Sequence, residues 1–168
     1  MLALTTVSHA HHDVLMGYAN RLNELADGLD GDSLDTSGLI SEMPDLRDAH
    51  QALLTRLIPH METVEAAVYP TLERLGLDRQ GSVPMAAEHN EIRRLVTALG
   101  DLTSEASAEH VDRGTVLTLR RVLLRLYTLL KTHLAEEELY IPILEHRLTP
   151  THEAALARAL DHLAAERV

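Results

Sequence analysis

The chain contains no cysteine, no tryptophan and no phenylalanine, and its Phe/Trp/Tyr aromatics come down to four tyrosines. Without cysteine there is neither a disulfide framework nor a thiolate metal site, so any metal must be held by His, Asp, Glu or Tyr. A cytoplasmic protein is the default expectation for such a chain. Without Phe and Trp the core must be built from Leu, Val, Ile, Ala and Met, a composition that favours helices. Positive charge is also scarce: 15 Lys and Arg stand against 26 Asp and Glu, for a net charge of −11. That balance argues against nucleic acid as a partner, because phosphate binding needs a basic face. No apolar run reaches the roughly 18 residues of a membrane-spanning helix, so no membrane partner is expected. Residues 1–7 lack the basic flank and small-residue cleavage site of a secretory signal.

What the chain does have is histidine, 11 in 168 residues, set among apolar residues that make up 45% of the whole. Apolar spacing predicts five helical segments, with no strand-like alternation and no repeat of solenoid length. The first covers about 4–28, and a Gly-, Asp- and Ser-rich connection follows over about 28–43. The second opens at Pro44 and ends near Gly76; Ser82 is expected to cap the third, with Pro84 in its first turn. The third fades over about 100–112, the fourth covers about 115–148, and Pro150 separates a short fifth segment at about 151–166. Short links between consecutive helices imply antiparallel neighbours. The expected fold is therefore all-α: an up-down four-helix bundle over about 4–148 with an additional C-terminal helix, in one domain spanning the whole chain.

The most informative stretch is His133-Leu134-Ala135-Glu136-Glu137-Glu138-Leu139-Tyr140-Ile141-Pro142. Counted at 3.6 residues per turn, His133 and Glu137 fall on the stripe of Leu119, Leu123, Leu126, Leu130, Leu144 and Leu148. A carboxylate and an imidazole on a buried apolar face need a partner, and a metal ion is the simplest one. Glu136 and Glu138 fall outside that stripe and are expected in solvent.

Other helices repeat the pattern. In the first, His11 shares a face with Leu15, Tyr18, Leu22, Leu25 and Leu29, and is preferred over His9 and His12 as the inward residue. In the third, His89 aligns with Met85, Ile92 and Val96. Each alone would be read as a core histidine bonded to the backbone. Three imidazoles on three apolar faces point instead to one shared site. In the second helix His60 and Glu65 flank the apolar stripe at opposite edges, roughly 140° apart on a regular helix. A one-residue π-bulge near Pro59 or Pro70 would bring both to one side; otherwise Glu65 is exposed and His60 half-buried. Tyr69 is an outside candidate for a phenolate ligand, or packs with its hydroxyl on a carboxylate. His50, His110, His146, His152 and His162 lie in polar or boundary settings and are expected at the surface. The chain has no Glu-x-x-His, which a ferritin-like di-iron enzyme needs twice, and no His-Glu-x-x-His of zinc proteases.

The order His11, then His60, Glu65 and Pro70, then His89, then His133, Glu137 and Pro142 resembles the hemerythrin-like, or HHE cation-binding, family. The likeness covers about residues 8 to 148, and its most specific parts are Glu88-His89 and His133 to Glu137. The resemblance implies a four-helix bundle holding a non-haem di-iron centre. It implies that His11 and His60 cap one iron, that His89 and His133 cap the other, and that Glu137 bridges them. It places the second bridging carboxylate four residues after His60, where this chain has Val64, so Glu65 must stand in or one carboxylate is lost. The further histidine of oxygen-carrying members is Met85 here. Two irons per chain are expected, with a single iron, manganese or zinc also compatible with the donors. The implied function is binding or sensing of O2, NO or peroxide. A di-iron enzyme with peroxide-decomposing or oxidase activity, and a metal-free helical interaction module, are the alternatives.

Overall fold

The computed structural model describes residues 4–29, 36–77, 79, 81–106 and 112–165. Among these there are five helices and no strand: α1 (Leu4–Gly28), α2 (36–74), α3 (Ser82–Glu105), α4 (Arg113–Arg147) and α5 (Pro150–Ala165). Side-chain cross-links between neighbouring helices give the topology. Glu145 accepts from the backbone N–H of Thr5, and Arg120 donates to the carbonyl of Ala26, so α1 and α4 run in opposite directions. The pairs Arg125–Glu91 and His133–Glu88 do the same for α3 and α4. Arg93–Glu65 and Arg47 with the Thr103 carbonyl set α2 against α3, and Arg21–Asp45 with the His12–His60 ring contact sets α1 against α2. The result is an all-α up-down bundle, with α5 laid against α1 and α2. No helix among the described residues is long and apolar enough to cross a membrane.

The second helix departs most from the sequence reading. It begins at Thr36, not at Pro44, which lies inside the helix. Two π-helical segments, Leu53–Leu57 and Val64–Val68, interrupt it. Each ends just before a proline, Pro59 or Pro70, in the first turn of the next α segment. A proline ring collides with the carbonyl four residues earlier, here Thr55 and Ala66, and both lie within a π segment whose wider turn relieves the clash. The widening also changes which residues face inward. Leu53, Leu57 and Met61, then Val64, Val68 and Leu72, are buried at steps of four, a period a regular α-helix would rotate off the core. Gly76 follows at φ 73°, where Leu77 N–H reaches back to the Leu72 carbonyl and closes the helix.

The remaining boundaries differ little from expectation. Ser82 is the first residue of α3 and forms no cap; Gly81 precedes it, and the Ser82 hydroxyl is buried without a partner. Asp112 caps α4 by accepting from Thr115 N–H at 2.7 Å.

The core falls into two apolar clusters. One holds Leu15, Leu22, Leu57, Ile92, Leu126 and Leu130 among others. The second holds Leu4, Val64, Val68, Met85, Ile141 and Leu160 among others. On every bundle helix the gap between the two clusters is filled by a buried polar residue: His12, His60, His89, and His133 with Glu137.

Candidate metal centre

Each helix delivers its polar residue from the buried stripe. On α4, Leu126, Leu130, His133, Glu137, Ile141 and Leu144 are all buried, at steps of three and four. On α3 the same spacing links Met85, His89, Ile92 and Val96. On α1 the stripe runs through Ser8, His12, Leu15, Ala19, Leu22 and Ala26. It is therefore His12, 4% exposed, that enters the cluster. His11, expected inward, is half-buried and stacks on His60 with ring centroids 4.9 Å apart. It lines both the inner cavity beside the cluster and a surface cavity of about 220 Å³ next to Arg56 and Asp161.

Glu137 stands at the centre. His12 Nε2 and His60 Nε2 each lie 3.1 Å from its Oε2. His133 Nε2 lies 3.2 Å and His89 Nε2 3.9 Å from its Oε1. His89 Nε2 and His133 Nε2 are 2.9 Å from each other. Among the described residues two groups thus offer three close donor atoms, His12–His60–Glu137 and His89–His133–Glu137.

The far nitrogens of the second pair are engaged. His89 Nδ1–H donates to Glu65 Oε1 at 2.8 Å, and His133 Nδ1–H donates to Glu88 Oε2 at 2.7 Å. Glu65 is itself clamped by Arg93, whose Nη1 and Nη2 each donate at 2.8 Å. Glu65 therefore does not join either ligand group, and touches the centre only through His89. Val64, one residue earlier, is buried and forms part of the inner cavity wall. The π segment expected near Pro70 exists, but it turns Glu65 toward α3. Tyr69 places its hydroxyl 3.3 Å from the ring nitrogens of His89. Burial, with Glu137, Glu65 and Glu88 nearby, raises the Tyr69 phenol above its usual range, so it remains protonated at neutral pH. That disfavours a phenolate ligand.

Electrostatics follow from this packing. Burial, then the neighbouring His133, lowers His89 to about 4. Burial, then His60 and His12, lowers His11 to about 4. For His133 burial also opposes the charge, but Glu137 and Glu88 outweigh it and the net shift is upward. Burial would raise Glu137, yet His60, His12 and His133 hold it well below the usual carboxylate range. Arg93 first, then His89, lowers Glu65.

The arrangement fits a metal on chemical grounds. With both Nδ1 atoms donating to carboxylates, the Nε2 atoms of His89 and His133 turn toward each other and toward Glu137 Oε1. Two imidazole nitrogens and a carboxylate oxygen crowd one buried point, a cluster that requires a shared proton or a cation to hold it together. The spacings are suitable: two ligands at ~2.1 Å from one ion lie roughly 3.0 Å apart at right angles and roughly 3.4 Å apart at tetrahedral angles. The Glu137 Oε1 acceptor and the Nδ1 atoms of His12 and His60 are buried without a hydrogen-bond partner. The other histidines stay apart from the centre: His146 and His152 are exposed, and His50 is half-buried against Gly100. His110 and the side chain of His162 lie outside the described residues.

His12 is the residue the sequence reading missed. Its signal was present in the small residues Ser8, Ala19 and Ala26, which share its buried stripe, whereas Tyr18 drew the face toward His11. The profile of the hemerythrin HHE cation binding domain matches residues 4–144 of the chain. No curated protein matches it.

Proposed function

The chain belongs to the hemerythrin HHE cation-binding family, and from that premise we propose that it is a non-haem iron protein that binds or senses a small ligand such as O2, NO or peroxide. Its centre is held by His12, His60, His89, His133 and Glu137. Family membership implies a cation, and the imidazole–carboxylate donor set suits iron, manganese or zinc. The observation that carries the reading is the buried convergence of His89 Nε2, His133 Nε2 and Glu137 Oε1, each 2.9–3.9 Å from the other two. Glu137 turns one oxygen to each histidine pair, the disposition of a carboxylate shared by two ions. Iron bound there would supply redox electrons and open coordination positions.

The chain's own residues set what reaches that position. The inner cavity, bounded by Val64, Val68, Met85, Ile141 and Leu160, has a volume of about 10 Å³. That is close to the ~10–15 Å³ needed for one water-sized guest, which favours a diatomic ligand or peroxide over an organic substrate. The apolar walls exclude bulk water and so influence the potential of a bound metal. A cytoplasmic setting, expected from the absence of cysteine, belongs to the same proposal.

Elemental analysis of aerobically purified protein tests the reading, together with ligand-to-metal charge-transfer absorption in the near ultraviolet. Iron is expected in the wild type, mostly lost in His133→Ala and retained in His152→Ala. Equal metal content in all three, or none in the wild type, refutes it.

A further inference from the structure

The two histidine pairs around Glu137 are supported differently. On one side His89 Nδ1 donates to Glu65 and His133 Nδ1 donates to Glu88, at 2.8 and 2.7 Å. Those bonds fix each ring and hold its proton on Nδ1, which leaves Nε2 free to ligate. Glu65 is in turn held by both Arg93 nitrogens. On the other side His60 Nδ1 is buried with no hydrogen-bond partner, and so is His12 Nδ1. Glu138 Oε1 lies 3.5 Å from His12 Nδ1. His12 and His60 sit with Nε2 at 3.1 Å from Glu137 Oε2, the position of rings donating Nε2–H to the carboxylate. To take a metal each must move that proton to Nδ1, where His60 has no acceptor and His12 has only the half-exposed Glu138 beyond a good hydrogen-bond distance. No carboxylate assists them from α2 either, because Val64 occupies the wall there and Glu65 is committed to Arg93 and His89.

We propose that the centre consists of two unequal halves: His89, His133 and Glu137 form a tight metal site that fills first, and His12, His60 and Glu137 form a weaker one that fills second. Glu65 and Glu88 act as positioning residues for the tight half. The inference rests on the metal-centre reading and ranks the parts within it. Loss of a carboxylate behind a ligating histidine weakens metal binding by roughly 10–100-fold. With two hydrogen-bonded carboxylates on one side and only the distant Glu138 on the other, the gap between the halves is about tenfold or more.

Titration of the metal-free full chain with Co(II), read by its visible d–d absorption and by chelator competition, tests this directly. The wild type should bind in two steps separated by tenfold or more. Glu88→Ala and Glu65→Ala should each weaken the first step by roughly 10–100-fold, and Glu88→Gln, which keeps an acceptor for Nδ1–H, should restore part of the loss. His12→Ala should abolish the second step and leave the first within about threefold, with the first-step d–d spectrum unchanged. Far-ultraviolet circular dichroism checks that each variant is folded, and the Gln variant stands in if Ala at 88 unfolds. Two steps of equal affinity, or loss of the tight step in His12→Ala, overturn the ranking while leaving the metal centre in place. No Co(II) bound by the wild type overturns both.

Discussion

Lowering the pH on metal-free protein should expose the cost of placing imidazoles in the core. His89 is fully buried, and its folded value is about 4 against 6.5 for a free histidine. Above pH 6.5 it is neutral in both folded and unfolded chains and contributes no pH dependence. Between 6.5 and about 4 the unfolded chain takes up a proton that the folded chain refuses, so stability falls with pH. At 1.36 kcal/mol per unit, a drop of about 2.5 units amounts to roughly 3 kcal/mol, a sizeable share of the ~5–15 kcal/mol that holds a domain together. His11 is shifted in the same direction but is only half-buried, so solvent screening reduces its share. His133 works the other way: its raised value adds stability as it protonates, present below 6.5 and lost as pH rises through the folded value. Urea unfolding of chelator-treated protein at pH 7, 5.5 and 4.5 measures the sum. Wild type should lose stability across that series, and His89→Leu should lose distinctly less. Equal stability of the wild type at pH 7 and 4.5, or an unchanged slope in His89→Leu, would refute the reasoning.

Three further outcomes follow from the geometry. His12→Ala should lower the metal bound per chain, and His11→Ala should leave it unchanged; elemental analysis showing the reverse would return His11 to the centre. Gly76→Ala places a side chain at φ 73° and should cost roughly 1–2 kcal/mol of stability by chemical denaturation, with metal content unaffected. Val64→Glu adds a carboxylate to the wall of the inner cavity and should tighten the second Co(II) step. It should also lower the melting temperature of the metal-free protein, because the new charge is buried without a partner. A second step unchanged by Val64→Glu would show that the missing carboxylate is not what weakens that half.

The bundle was legible because its evidence is periodic. Leucines at steps of three and four define α1, α3 and α4 whatever lies between them, and the inward placement of His89, His133 and Glu137 follows from that spacing alone. The second helix was less legible for a physical reason. Its start lies among Gly, Ser and Asp residues that read as a connection, and its inward face depends on two π segments that shift the phase. A 3.6-residue count cannot say which way Glu65 turns once a residue is inserted. Arg93, the cation that fixes Glu65, lies on another helix and had no local signature. His11 and His12 posed a finer problem. They differ by roughly 100° on the wheel, and the choice turned on whether the stripe was centred on large residues or on the small ones that permit close helix approach.

The placement of the polar layer bears on what the metal does for the fold. Apolar clusters lie on both sides of it, so the bundle has hydrophobic contacts across all its helices without the centre. Within the layer the metal-free protein crowds imidazole nitrogens around one carboxylate and leaves the Nδ1 atoms of His12 and His60 without hydrogen bonds, and that layer is the locally unfavourable part of the structure. A bound cation relieves the conflict and stabilises the native state in proportion to its occupancy. The ligand residues come from four helices, and the two halves differ in which they join. His89, His133 and Glu137 tie α3 to α4; His12 and His60 tie α1 and α2 to the Glu137 of α4. Under the unequal-halves proposal, the first ion locks one helix pair and only the second couples the other two helices to it. Occupancy of the weaker half would then govern how firmly α1 and its neighbour α5 are held against the rest of the bundle.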